Sequence, residues 1–189
     1  MTQEILAAIN VSFGDTGSLR RFDVAEIPEG LLSIEDLAFL RDAGLPSEGR
    51  DDIQYNGQES DFARISSLVN YRRGRMSDGN ELTVIARGLD AVFGVSAESR
   101  KVYLVYLERD YADEVVNSSL PQFIASRSLF LEYSYDIEQL QHDYDAVDAR
   151  AVSFLRSLRA LDPEAFSTSD NYWESKLVAA GFGEKIDWR

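Results

Sequence analysis

The chain has no cysteine and a single histidine among its 189 residues. The first absence removes disulfides, thiolate metal sites and cysteine nucleophiles together, and it fits a cytoplasmic address. The second leaves His142 as the sole imidazole for any general base or metal centre. No apolar run approaches the roughly 20 residues that span a bilayer. The N-terminus carries Glu4 in place of a basic region, and no small-residue cleavage site follows, so no signal peptide is expected. Internal repeats and low-complexity segments are missing too, and no shift of composition marks a boundary. One domain over residues 1–189 is the expectation.

Basic residues are also scarce. Nineteen Lys and Arg stand against thirty-three Asp and Glu, a formal charge of −14. Such a surface repels nucleic acid and anionic lipid, and it speeds encounter with basic partners. It also keeps a protein soluble whatever its function.

What is present reads as helices, then strands, then helices. Ile5, Leu6, Ile9 and Phe13 recur at helical spacing up to Gly14. A second helix opens at Ser33, with Asp36 at the reciprocal position of a capping box. It stops at Gly44, where glycine suits the left-handed C-cap, and Pro46 prevents resumption. The period then changes. Ile53–Tyr55, Arg64–Val69, Leu82–Ala86, Ala91–Val95, Val102–Leu107 and Val115–Val116 are strand candidates, with Asp78–Gly79 as a hairpin signal. Their short connections predict a largely antiparallel sheet, because parallel neighbours need crossover segments. Asn117 or Ser118 is expected to cap the next helix, with Pro121 in its first turn. One long helix is then expected through Ile137, Leu140, Tyr144, Val147, Ala151, Phe154, Leu158 and Leu161, stopping at Asp162–Pro163, its stripe buried on the sheet. A last helix carries Trp173, Leu177 and Ala180 and ends at Gly181. The predicted class is α+β: a mostly antiparallel twisted sheet flanked by N-terminal and C-terminal helices.

Two stretches in this order resemble a family signature. They are Phe39-Leu40-Arg41-Asp42-Ala43-Gly44-Leu45-Pro46 and Asn117-Ser118-Ser119-Leu120-Pro121-Gln122-Phe123-Ile124, followed by a terminal helix with Tyr172-Trp173. Together they are similar to the SUKH superfamily, in particular its bacterial immunity proteins with a Gly-Leu-Pro helix end. Members often carry glycine directly after the isoleucine of a central strand. Here Ala86 follows Ile85 and Gly88 comes two residues later, which leaves that strand's registration open. The resemblance implies a non-enzymatic protein, without a cofactor, that binds and neutralises a cognate polymorphic toxin.

The chemistry available elsewhere is thin. Glu138, His142 and Asp145 would share a face of one continuous helix and could hold a metal weakly, although a solvated histidine in a salt-bridging stripe is the simpler reading. Gly14-Asp15-Thr16-Gly17-Ser18 lacks the lysine of a phosphate loop. Arg72-Arg73-Gly74-Arg75 is the one basic cluster and reads as a solvated hairpin flank. The tyrosines at 103, 106, 111, 133, 135 and 144 lack the cationic groove of a nucleic-acid platform and belong mostly to a core or its rim. Asn117-Ser118-Ser119 matches a glycosylation sequon, taken as coincidence without a secretion signal.

The expected partner surface is the acidic, aromatic run of Glu108, Asp110, Tyr111, Asp113 and Glu114, with Asp51, Asp52, Glu59 and Asp61 as a second set. The toxin could be a basic nuclease whose substrate groove attracts a −14 protein. A monomer is expected. The alternative is a non-enzymatic regulatory or scaffolding module that uses the same fold to hold a host protein.

Overall fold

The computed structural model describes residues 2–13, 19–47, 53–58, 61–62, 81–106, 113–140, 143–168 and 171–179. In chain order the elements are α1 (Gln3–Phe13), β1 (Leu19–Arg20), α2 (Ile34–Asp42), β2 (Leu45–Pro46) and β3 (Gln54–Tyr55). Then come β4 (Leu82–Arg87), β5 (Ala91–Ser96), β6 (Val102–Tyr106) and β7 (Glu114–Asn117). The chain closes with α3 (Leu120–Gln139), α4 (Tyr144–Leu161), a short 3-10 turn at Pro163–Phe166, and α5 (Tyr172–Ala179). The class is α+β, as the sequence predicts. The strand candidate at 64–69 and the Asp78–Gly79 hairpin signal lie outside the described residues, as do Gly14–Ser18, Arg72–Arg75, Ala180 and Gly181.

The five longer-range strands form an antiparallel meander in the order β3-β4-β5-β6-β7. Both faces of its centre are apolar. Phe93, Val95, Val102, Leu104 and Val116 join the large cluster shared with the helices, whereas Leu82, Val84, Val92, Tyr103 and Val105 make a second one. Burial on both faces is what gives β4 to β6 their continuous apolar runs. The open registration resolves as a bulge: Val84 pairs with Gly94 and Ala86 with Phe93, leaving Ile85 as the extra residue. Ile85 is fully buried, and its carbonyl accepts from the Asn56 amide at 3.0 Å. The bulge brings two successive side chains, Ile85 and Ala86, into the large cluster.

The Gly-Leu-Pro stretch does more than stop a helix. Ser33 caps α2 by accepting from the Asp36 amide, and the Ser33 hydroxyl donates to Asp36 Oδ2 at 2.6 Å. Gly44 follows the C-cap at φ +96, and a Cβ there would fall 2.0 Å from the carbonyl oxygen of Arg20. Both the turn and the close approach of the neighbouring chain require glycine. Leu45 and Pro46 then pair antiparallel with Arg20 and Leu19, so Pro46 lies in a two-residue strand.

Three helical expectations need correction. Asn117 ends β7 opposite Val102, and the cap of α3 is Ser119, whose side chain accepts from the Gln122 amide. The single long helix is two helices: α3 closes on Leu140, and α4 starts on Asp143, whose carboxylate accepts from the Ala146 amide. The stripe of α4 packs on other helices more than on the sheet. Phe154 stacks on Tyr133 of α3 at 4.7 Å between ring centroids and also meets Phe130. Tyr144, placed by spacing in that stripe, is 82% exposed. On the other side of α3, α1 is tied down by hydroxyls: the Ser12 amide donates to Ser128 Oγ, which donates to the Ile9 carbonyl.

A rim cavity and a buried signature

The second signature stretch is a buried polar junction. Asn117 and Asp162 are almost wholly buried, at 0% and 1% exposure. Asp162 Oδ2 accepts from Asn117 Nδ2 at 2.9 Å and from the Ser118 amide at 2.8 Å. Asn117 Nδ2 also reaches Ser126 Oγ, and Gln122 accepts from Ser118 and Ser119 while donating to the Leu161 carbonyl. The start of α3 is thus stitched to the end of α4. A buried carboxylate demands such donors, and backbone and amide N–H groups supply them. Among the described residues, both hydrogen bonds of the Asn117 side-chain NH₂ are made inside this network.

The expected partner residues fall at several places. Glu108, Asp110, Tyr111, Asp51, Asp52 and Glu59 lie outside the described residues. Asp61 is exposed, but Oδ2 accepts from the amides of Gly57 and Gln58 at 2.9 and 2.8 Å and so holds a turn. Asp113 and Glu114 are half-buried, and Glu114 opens β7 opposite Leu104.

Glu114 also lines a cavity of about 280 Å³ at one end of the sheet. Among the described residues it is lined by apolar Ile53, Ala91, Phe93 and Leu104 and by polar Asp90, Glu114, Tyr106, Tyr172, Ser175 and Lys176. Phe93 meets Tyr172 edge-on, with ring centroids 6.0 Å apart. Behind Tyr172, the fully buried Arg127 donates to its hydroxyl and lies over the Phe130 ring. Burial pulls the pKa of Arg127 below the usual arginine value. Leu89, at the tip of the β4–β5 turn, borders the cavity and is 97% exposed. The acidic run pointed to Glu114 but not to Leu89, because an apolar residue in a turn is unremarkable until its exposure is known.

The trio at 138, 142 and 145 does not share one helix. Glu138 is in α3, Asp145 is in α4, and His142 lies outside the described residues. Among the described residues no group of three His, Cys, Asp or Glu could hold a metal, and no helix is long and apolar enough to cross a membrane. Of the tyrosines, 133 and 103 are buried and 106 is half-buried, while 135 and 144 are exposed on α3 and α4. Tyr111 lies outside the described residues.

The model of one protein family, described as SUKH-4 immunity protein, matches residues 8–179. That span runs from within α1 to the end of α5 and takes in both signature stretches. No curated protein and no solved structure matches the chain.

Proposed function

The chain belongs to the SUKH-4 immunity protein family, and from that premise we propose that it binds a cognate polymorphic toxin and neutralises it by stoichiometric occlusion. It acts as a monomeric, single-domain, non-enzymatic protein in the cytoplasm of the cell that makes the toxin. The observation that carries this reading is the family match across residues 8–179. The charge of −14 supports a basic target, such as the substrate groove of a nuclease, and argues against nucleic acid or membrane as partners. Contact through the acidic run that includes Asp113 and Glu114 belongs to the same reading.

The test is co-expression with the toxin domain encoded by the neighbouring gene. Cells carrying both are expected to grow, and the two purified chains to co-elute as a one-to-one complex by light scattering. Death of the doubly expressing cells, with both proteins soluble and no complex formed, would overturn the proposal.

A further inference from the structure

Two exposed residues break local rules of stability, and the fold sets them side by side. Arg100 is the one non-glycine residue at positive φ among the described residues, at +65. It closes the β5–β6 turn: its amide donates to the Ser96 carbonyl at 2.7 Å, and the Ser96 amide donates to the Lys101 carbonyl at 3.0 Å. Left-handed backbone is unfavourable for a residue with a Cβ and costs glycine nothing. Ile34, the first residue of α2, is 84% exposed. A β-branched side chain there buries almost nothing and is a poorer helix former than alanine. Glu35 joins the two, because its Oε1 lies 3.6 Å from Arg100 Nη1.

Contacts within the described chain do not offset these choices. With side chains 45% and 62% exposed, the Arg100–Glu35 pair is of the surface kind that adds little stability. Asp36, also within the field of Arg100, is buried and bonded to Ser33. The patch is nevertheless held firmly. The Thr83 hydroxyl donates to the Leu31 carbonyl, which ties the entry of α2 to β4, and Ser33 caps the helix. Arg100 is carried by the turn between two strands of the central sheet. A firmly held patch loses little conformational freedom on binding. Proteins break local rules mainly at functional sites.

The chemistry of the two residues describes what they meet. Ile34 stands out into solvent and calls for an apolar recess, and the flat fork of a guanidinium matches a carboxylate. We propose that Ile34 and Arg100 dock the toxin domain, with Ile34 seated in an apolar recess and Arg100 paired with a carboxylate at its edge. The charge of −14 draws a basic domain in, and this patch then limits its release. The identity of the partner rests on the immunity reading; the strain at Arg100 does not.

Two variants of the full chain separate these parts. Arg100→Gly relieves the backbone and removes the guanidinium, and Ile34→Ala shortens the exposed side chain. Ile34→Ala should melt at or above wild type and Arg100→Gly about 2–4 °C above it, so that lost binding is not lost folding. In surface-plasmon kinetics with the toxin domain encoded next door, each variant should dissociate about tenfold faster or more, with little change in association. Melting of Arg100→Gly below wild type would overturn the strain argument. Release of the toxin at the wild-type rate from both variants would overturn the docking patch and leave the immunity reading standing. Self-association of the free chain that Ile34→Ala abolishes would also overturn it, giving the patch to a second copy. Variants that melt as expected, beside a wild-type chain with no affinity for the toxin, would remove the toxin as partner and with it the immunity reading.

Discussion

Replacing Asp162 by alanine removes the acceptor that joins the start of α3 to the end of α4. Two donors lose a charged partner, the Ser118 amide at 2.8 Å and Asn117 Nδ2 at 2.9 Å. Hydrogen bonds to a charged group are worth about 1.5–3 kcal/mol each. The two share one oxygen and are not additive, so the expected loss is about 3–5 kcal/mol. That is a large part of the roughly 5–15 kcal/mol that stabilises an ordinary domain. At roughly 2–4 °C per kcal/mol for a chain of this size, melting should fall by about 6–20 °C. Asp162→Asn keeps an acceptor but sets an NH₂ group where Oδ1 has no hydrogen-bond partner among the described residues; a smaller loss, about 1–2 kcal/mol, is expected. Urea unfolding followed by tryptophan fluorescence gives both values, with an unchanged slope showing that only stability moved. A loss below about 1 kcal/mol in Asp162→Ala would refute the claim that this carboxylate holds the signature together.

Gly44→Ala should be among the most damaging small substitutions, costing about 3 kcal/mol or more, because the new Cβ would fall 2.0 Å from Arg20 O at φ +96; a soluble variant with native melting would contradict this. Asp36 tests a pH dependence. Burial raises its pKa above the ordinary 3.8, against the lowering effect of the Ser33 hydroxyl. The native state therefore holds this proton more tightly than the unfolded chain does, and Asp36 contributes most stability below the unfolded pKa, losing it as pH rises through the folded one. Relative to wild type, Asp36→Asn should be least favourable at about pH 3 and improve toward neutrality; a difference independent of pH would refute it. Raising salt to about 0.5 M should slow association with a basic toxin domain by an order of magnitude and change dissociation much less. An on-rate indifferent to salt would make the acidity a solubility feature only.

The strands were legible because β4, β5 and β6 are buried on both faces, so their sequences are near-continuous apolar runs between turn residues. Ser33 and Gly44 were legible because capping and left-handed backbone call for those residue types. The break between α3 and α4 was not. Ile137 and Val147 sit on different helices that bury toward a common core, so the apolar spacing passes through the break, and Asp143 looks like any surface carboxylate until its bond to Ala146 is seen. The sequence places the cap of α3 on Asn117 or Ser118, one or two residues before the actual Ser119, because all three are competent caps. Tertiary packing decided among them, drawing Asn117 inward to Asp162. At the candidate site, charge alone led to Glu114, while the cavity beside it depends on β5, β6 and α5 meeting, a juxtaposition that no local pattern carries.

Occlusion has a stoichiometry, and titrating the toxin's own activity reads it. With the toxin domain held far above the dissociation constant, activity should fall in a straight line as this chain is added and vanish at one equivalent. Full inhibition at a small fraction of an equivalent would mean that the chain acts catalytically on the toxin, and undiminished activity beyond one equivalent would mean that it does not neutralise this toxin at all.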